Sequence, residues 1–95
     1  MPTLVIKYHP KFFKDLDKLS RQQLEAVNKK IERIKAKPDE FNELRGGNNC
    51  CKVRIESMRL IYFYDNTNLW FLILDSRKSV YNEYMKRLYT LKTRL

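Results

Sequence analysis

Five long cations and one tyrosine in the second half of the sequence have the side chains best suited to chemistry. They are Lys52, Arg54, Arg59, Arg77, Lys78 and Tyr81. Side chains two apart in a strand share a face, so we expect Lys52 and Arg54 to project together, about 7 Å apart. A short turn after that strand would bring Arg59 alongside them. Clustered like charges repel each other unless an anion lies between them. The spacing therefore favours either a phosphate site or a solvated basic edge that discourages aggregation.

The sequence gives little support for a histidine-dependent hydrolase site, a glycine-rich phosphate loop or a metal site. His9 is the single histidine, no Ser-His-Asp set is present, and no glycine-rich phosphate loop precedes a helix. We expect His9 to be a helix cap or a surface residue. The adjacent Cys50 and Cys51 point to opposite faces if they lie in a strand, and with His9 they lack the spacing of a metal site. Buried or half-buried free thiols are expected, with no metal and no small-molecule cofactor.

The composition limits the architecture and indicates a partner. With 95 residues and a hydrophobic share of 43%, the chain is predicted to form a single domain, residues 1–95. No apolar run approaches the roughly 18 residues of a membrane span, and the first residues do not resemble a signal peptide, so we expect a cytoplasmic protein. The net charge is +9. Its excess lies in the second half, which favours a polyanion such as nucleic acid as partner.

The first half predicts a strand followed by two helices. The strand runs from Thr3 to Tyr8, and the first helix follows Pro10, from Lys11 to about Leu19. Its expected apolar stripe is Phe12, Phe13, Leu16 and Leu19. Its expected solvent side is Lys11, Lys14, Asp15 and Lys18.

The second helix has a clear start. Ser20 and Gln23 have the spacing of a capping box, so this helix should begin at Arg21, and Pro38 predicts its end near Ala36. The two helices form a helical hairpin. The apolar stripe of the second helix is Leu24, Val27, Ile31 and Ile34. Lys30, Arg33 and Lys37 fall near one face, which would contact RNA or simply face solvent.

The second half changes to strand periodicity. Three strands, Cys50–Ile55, Arg59–Tyr64 and Leu69–Leu74, are predicted to form an antiparallel meander, the third being central because it is apolar on both faces. A C-terminal helix follows, with Val80, Tyr84, Leu88 and Leu91 in register and with Tyr84, Leu88 and Tyr89 expected in the core. The predicted fold class is α+β, with an N-terminal strand, a helical hairpin, a three-stranded antiparallel meander and a C-terminal helix.

Several segments carry a family resemblance. They are Leu44–Gly46, Cys51–Ile55, Met58–Tyr62 and Arg77–Tyr81. The pairing of an Arg-Leu-Ile-Tyr strand with a later Arg-Lys-Ser-Val-Tyr segment resembles the RelE branch of the RelE/ParE toxin superfamily. The resemblance covers nearly the whole chain, because the preceding strand and helical hairpin follow the family's order, βααβββα.

This resemblance implies a toxin of a type II toxin–antitoxin pair, neutralised by a cognate antitoxin. The implied activity is a ribosome-dependent endoribonuclease, an mRNA interferase that uses no metal and cleaves when the 2′-hydroxyl of the message attacks the adjacent phosphate. Carried over by position, Lys52 and Arg59 would stabilise the phosphorane, Arg77 would contact the scissile phosphate, and Tyr81 would stack on the nucleotide. Further RNA contacts are expected from Arg45, Lys78, Lys30, Arg33 and Lys37.

One position departs from the family pattern. Relatives carry a second lysine where this chain has Arg54, and an arginine stays protonated in proteins, so Arg54 binds phosphate but is a poor general base. The base would then be Lys52 or Tyr81, or the reaction would use no strong base. Two other functions stay open. One is a ParE-like toxin that poisons DNA gyrase without being a nuclease, and the other is a non-catalytic basic RNA-binding domain.

Overall fold

A five-stranded sheet with helices on both faces forms the fold. The computed structural model describes residues 4–44 and 49–94. Its elements are β1 (Val5–Tyr8), α1 (Pro10–Asp17), α2 (Arg21–Ala36), a 3-10 turn (Pro38–Glu40), β2 (Asn42–Glu43), β3 (Cys50–Ile55), β4 (Met58–Tyr64), β5 (Asn68–Asp75) and α3 (Val80–Arg94). The strand order is β1-β5-β4-β3-β2. The α+β class, the helical hairpin, the meander and the C-terminal helix are confirmed.

Two features of the sheet go beyond the sequence analysis. β1 pairs in parallel with β5, which makes β5 a central strand as predicted. The two-residue strand β2 pairs antiparallel with β3 and was not predicted, because two residues carry no readable periodicity. Within the described ranges, no helix has the length and apolar character needed to cross a lipid bilayer.

Both helices of the hairpin begin where the sequence places their caps. His9 is buried at the start of α1, and its Nδ1 accepts a hydrogen bond from the backbone N–H of Lys11 at 3.1 Å. The Ser20 hydroxyl accepts from the N–H of Gln23, whose side chain accepts in return from the N–H of Ser20. Each cap satisfies N–H groups that have no partner inside the helix, which stabilises a helix by about 0.5 to 2 kcal/mol.

The sheet separates two apolar layers. On one face, side chains of α1 and α2 such as Phe12 and Ile34 pack against the sheet. On the other, Val80 and Leu88 of α3 pack against it. The buried Cys51 and Cys50 belong to these two layers respectively, so the adjacent thiols lie on opposite faces as predicted.

Three predicted environments were wrong. Asp15 is buried rather than solvated, because α1 lies along the part of β5 beyond the end of β1, where the carboxylate accepts from the backbone N–H of Leu74. Phe13 is half exposed, since it lies about 100° around α1 from the buried Phe12. Tyr89 is exposed for the same reason, one residue beyond the buried Leu88.

A β-bulge in β5 decides which face its last residues occupy. Ile61 pairs with Ile73 but Tyr62 pairs with Phe71, so Leu72 is an extra residue. Leu72 and Ile73 consequently both lie in the layer under α3, and the alternation of side chains is inverted beyond them. The inversion places Asp75, two residues after Ile73, on the α3 face of the sheet.

Candidate functional site

The β3–β4 hairpin presents cations on the α3 face of the sheet. Lys52 and Arg54 are exposed on β3 and alternate with buried residues. Arg54 lies directly opposite Arg59 of β4 in the antiparallel register, so the two side chains share a face. The predicted meeting of these three cations on one face is confirmed. α3 packs on β4 and β5, which leaves the Lys52 and Arg54 side chains open to solvent.

The line of side chains continues onto β5. Arg59 lies opposite Asp75, so Arg54, Arg59 and Asp75 form a row across three neighbouring strands. Arg59 Nη1 also donates to the carbonyl oxygen of Ser76 at 2.7 Å. The Arg59 side chain therefore ties the start of β4 to the loop that follows β5.

Arg77 lies in that loop, beside the end of the row. Its Nη2 is 3.2 Å from Asp75 Oδ2, and its backbone N–H donates to Asp75 Oδ1 at 3.2 Å. Burial of the carboxyl raises the pKa of Asp75, but the hydrogen bonds and the charge of Arg77, together with the backbone N–H of Ser76, outweigh it, and the net pKa lies below its usual value. Asp75 is consequently an anion at neutral pH and attracts the Arg77 guanidinium.

Tyr81 closes the site from the first turn of α3. Its backbone N–H donates to the carbonyl oxygen of Lys78, and its half-buried ring packs against the apolar layer under α3. Lys52 Nζ lies 5.7 Å from the centre of this ring, within the range of a cation–π contact. A ring so placed can stack on a nucleobase while the ammonium contacts the neighbouring phosphate.

We call this set of five residues the basic cluster. Its members are Lys52, Arg54, Arg59, Arg77 and Tyr81. Long cations around an open surface bind a phosphate group, and the guanidinium forks add directional donors for its oxygens. Among residues 4–44 and 49–94, no group of three or more His, Cys, Asp or Glu side chains is placed to hold a metal ion.

A match to a known protein family extends over most of the chain. The family described as the ParE toxin of the type II toxin–antitoxin system parDE matches residues 6–81. The chain belongs to the ParE toxin family. The matched range includes all five members of the basic cluster. No curated protein matches the chain by sequence.

Solved structures of toxins share the fold of this ParE-family toxin. A mutant of Escherichia coli RelE with two arginines changed to alanine, in the free state, is similar with a TM-score of 0.77 and 24% identity, covering 92% of this chain and 99% of that chain. A chain of the toxin–antitoxin complex RelBE2 from Mycobacterium tuberculosis is similar with a TM-score of 0.68 and 24% identity, covering 81% of this chain and 94% of that chain. The YoeB dimer from Staphylococcus aureus is similar with a TM-score of 0.58 and 18% identity, covering 74% and 92%. The toxin therefore has a RelE-like fold, as the RelE/ParE superfamily resemblance predicted.

The further cations predicted to contact RNA do not all lie near the basic cluster of this ParE-family toxin. Lys78 is exposed in the loop between Arg77 and Tyr81. Lys30 and Arg33 lie on α2, on the other side of the sheet, where Lys30 Nζ and Arg33 Cζ are 5.9 and 5.7 Å from the centre of the Phe41 ring. Arg33 also pairs with Glu40.

The last two predicted RNA contacts are Lys37 and Arg45. Lys37 is exposed and follows the last residue of α2, so it belongs to the α2 side of the sheet as well. Arg45 lies outside the described residues. Lys78 thus lies along the chain between two members of the basic cluster, Arg77 and Tyr81. Lys30, Arg33 and Lys37 lie on the opposite face of the sheet.

Asp75 is the part of the site that sequence reasoning missed. It closes the row that begins with Arg54 and holds Arg77. Simple alternation along β5 from Leu69 assigns Asp75 to the α1 and α2 face of the sheet, whereas Arg59 lies on the α3 face. The sequence pattern therefore gave no signal for Asp75. An aspartate two residues before an arginine at the end of a strand is a turn-forming pattern, and that signal could have found it.

Proposed function

We propose that this toxin is a ribosome-dependent endoribonuclease that cuts messenger RNA, with the 2′-hydroxyl of the message as the nucleophile. The observation that carries the proposal is the placement of three cations on the open part of the α3 face, with Arg77 in the loop beside them and Lys52 Nζ 5.7 Å from the centre of the Tyr81 ring. A single-stranded message offers phosphates for the cations and a base for the ring. The fold shared with RelE structures supports the same assignment.

The chemistry needs no group beyond the substrate and these side chains. The 2′-oxygen forms a bond to the adjacent phosphorus and loses its proton, while the bond from phosphorus to the 5′-oxygen breaks and that oxygen gains a proton. The products are a 2′,3′-cyclic phosphate and a 5′-hydroxyl. The protein's tasks are to align the 2′-oxygen, to stabilise the added negative charge on the phosphorane and to help the 5′-oxygen leave.

We assign the roles from the resemblance to the RelE branch, and the positions of the side chains support them. Lys52 and Arg59 stabilise the charge on the phosphorane from the two strands of the hairpin. Arg77, at the end of the row, contacts the scissile phosphate and assists the leaving oxygen. Arg54 binds phosphate as a permanent cation. Tyr81 stacks on the nucleotide. The proton of the 2′-hydroxyl goes to a Tyr81 phenolate or to Lys52 in its neutral amine form, which thereby becomes a cation, unless the reaction proceeds without a strong base.

The proposed partners follow from the family. Type II toxins are paired with an antitoxin, and the similar RelBE structures are toxin–antitoxin complexes. We therefore propose a cognate antitoxin that holds this toxin inactive, together with the ribosome and its message as targets in the cytoplasm.

A second candidate function is poisoning of DNA gyrase without nuclease activity. The observation that favours it is the match of residues 6–81 to the ParE toxin family. A gyrase binder has no requirement for a lysine over a tyrosine ring with further cations on the same face, and this arrangement favours the nuclease.

A cleavage assay separates the two functions. Purified toxin is mixed with programmed ribosomes, and primer extension maps any cut in the message. We expect codon-dependent cutting that falls by at least about 100-fold in Arg77→Ala, the loss typical of removing a transition-state donor, and that also falls in Tyr81→Ala.

A matched control tests whether the loss is specific. Arg21→Ala removes another exposed arginine in an ion pair, on α2, and should leave the rate at the parental level. An intact message together with arrested supercoiling by gyrase would overturn the nuclease in favour of the second candidate. An intact message with normal supercoiling would overturn both and leave a basic RNA-binding domain.

A further inference from the structure

Asp75 is the acidic member of the row that runs through the basic cluster. Its neighbour in the row, Arg59, is cationic, and Arg54 lies beyond it on β3. The Asp75 carboxylate is 24% exposed and lies on the last residue of β5. A partly buried charge at this place is costly unless the protein provides it with partners. The hydrogen-bond partners of the Asp75 carboxylate indicate which residue it positions.

Both oxygens of the Asp75 carboxylate contact the same residue. Oδ1 accepts from the backbone N–H of Arg77 and Oδ2 from its Nη2, each at 3.2 Å. The backbone bond fixes the direction of the loop after β5, and the side-chain bond holds the guanidinium beside the last residue of β5. One carboxylate thus controls both the backbone and the side chain of Arg77.

Arg77 needs such control because of where it lies. Its side chain is 74% exposed, and the residue belongs to a loop rather than to a strand or helix. A long arginine side chain on a loop samples many rotamers, and ordering it during a reaction slows that reaction. β5 is a central strand, so Asp75 gives the guanidinium a rigid anchor.

We propose that Asp75 is a positioning residue that holds the Arg77 guanidinium ready for the scissile phosphate. This inference rests on the proposed nuclease function. Asp75 does not touch the substrate. It acts through Arg77, leaving the remaining N–H donors of the guanidinium free to meet phosphate oxygens.

The informative substitution is Asp75→Asn. An asparagine oxygen still accepts from the backbone N–H of Arg77, so the loop keeps its direction, while the charge that holds the guanidinium is lost. The matched control is Asp65→Asn, at the other end of β5, where the carboxylate accepts from the backbone N–H groups of Thr67 and Asn68. Both variants remove one negative charge and keep a side-chain oxygen that accepts from backbone N–H groups.

Single-turnover cleavage by toxin with programmed ribosomes gives the first readout. We expect Asp75→Asn to lower the maximal single-turnover rate constant roughly fivefold to thirtyfold with little change in the ribosome concentration that gives half of that rate, because a long side chain must then be ordered during each reaction. Asp65→Asn should keep the parental rate. In an Arg77→Ala background, Asp75→Asn should have no further effect, because the two residues act as one unit.

A parental or faster rate in Asp75→Asn would overturn the proposal, the faster rate showing that the carboxylate competes with the phosphate instead. An equal loss in the Arg77→Ala background would overturn it too, because the effect would not pass through Arg77. If the parent toxin does not cleave, the proposed function fails, and a second readout decides the positioning role on its own.

That second readout is the heteronuclear NOE of the Arg77 Nε–H group in the free toxin, measured by NMR. We expect a restricted side chain in the parent and in Asp65→Asn, and a mobile one in Asp75→Asn. Equal mobility in all three proteins would remove Asp75 as a positioning residue, whatever the cleavage assay shows.

Discussion

Asp15 of α1 and Arg87 of α3 form a buried ion pair across the edge of β5, with Arg87 Nη1 2.7 Å from Asp15 Oδ2. The same Nη1 donates to the carbonyl oxygen of Leu72, and Asp15 accepts from the N–H of Leu74. β1 has ended at Tyr8, opposite Phe71, so these backbone groups have no strand partner on that side among the residues that the structure describes. The ion pair satisfies polar groups of β5 that a longer β1 would otherwise satisfy.

Breaking this pair should destabilise the toxin strongly. Asp15→Ala leaves the buried Arg87 charge without its counter-ion and the Leu74 N–H without its acceptor, and we expect the free energy of unfolding to fall by about 3 to 5 kcal/mol. Asp15→Asn keeps an acceptor for Leu74 and should cost less. Urea denaturation monitored by circular dichroism measures both.

An exposed ion pair is the matched control for this effect. Glu25→Ala breaks the contact with Arg21 on the surface of α2, where the side chains are 68% and 95% exposed, and should change the unfolding free energy by less than about 1 kcal/mol. A double-mutant cycle with Arg87→Ala reports the coupling between Asp15 and Arg87. Losses that simply add would contradict a direct role of the pair.

The buried Asp15–Arg87 pair is a feature that could not be predicted from the sequence. The capping box at Ser20, the end of α2 near Ala36 and the bounds of β3 were predicted because each depends on residues close together in the chain. The burial of Asp15 depends on where β1 ends beside β5, a long-range pairing that helical periodicity does not contain. Asp15 therefore reads as a solvent-facing position.

The Tyr81 ring should matter more than its hydroxyl. Tyr81→Phe keeps the surface that stacks on a base, so we expect cleavage within about threefold of the parental rate. Tyr81→Ala removes the ring, and the loss of about 1 to 3 kcal/mol of stacking predicts a fall of roughly 5-fold to 150-fold. Single-turnover cleavage on programmed ribosomes measures both rates.

The exposed Tyr89 on α3 serves as the control, and Tyr89→Ala should cleave at the parental rate. A fall of about 100-fold or more in Tyr81→Phe would contradict the prediction that the ring matters more than the hydroxyl. It would assign the proton transfer to the Tyr81 hydroxyl and leave Lys52 as a phosphate ligand.

Repulsion between Arg54 and Arg59 should lower the free energy of unfolding when no anion is bound. The two like charges lie directly opposite each other in the β3–β4 register, an arrangement that destabilises a strand pair by roughly 0.2 to 1 kcal/mol. Arg54→Gln should consequently raise Tm by about 1 to 5 °C at low salt. The same substitution should slow cleavage, because it removes a phosphate ligand.

Salt provides the check on this explanation. The gain in Tm should shrink at about 0.5 M salt, where the repulsion is screened. Arg21→Gln removes a cation that faces an acidic neighbour and should not raise Tm. A Tm for Arg54→Gln at or below the parental value at low salt would show that Arg59 does not repel it.

The candidate site, like the fold, was predicted from the sequence where it depends on residues close together in the chain, and was missed where it depends on long-range pairing. Lys52, Arg54 and Arg59 were placed on one face from strand spacing and one tight turn, and the register of β3 and β4 confirms that placement. Asp75 was missed because the bulge at Leu72 inverts the alternation of β5. A bulge has no marker in a run of apolar residues, so the face of Asp75 had to come from the three-dimensional structure.

Alkaline pH should destabilise the toxin through Tyr62 and Cys51. Burial raises the pKa of the Cys51 thiol above its usual 9.0 and raises the pKa of Tyr62 well above its usual 10.0. The unfolded chain then ionises at a lower pH than the folded one. The stabilisation from these neutral groups is complete below about pH 9 and is lost as the pH rises through the usual values towards the folded ones.

Tyr62→Phe isolates the phenol. At neutral pH this variant should be less stable than the parent by about 0.5 to 1.5 kcal/mol, because it lacks the hydrogen bond from the Tyr62 hydroxyl to the carbonyl oxygen of Pro38. Above pH 10 the parent loses stability faster by up to about 1.4 kcal/mol per pH unit, so the difference should close and then reverse. Urea denaturation from pH 7 to 11 under reducing conditions follows both proteins. Tyr89→Phe, which alters an exposed phenol, should stay parallel to the parent over this range, and a parallel profile for Tyr62→Phe would show that burial of its phenol does not control the alkaline limb.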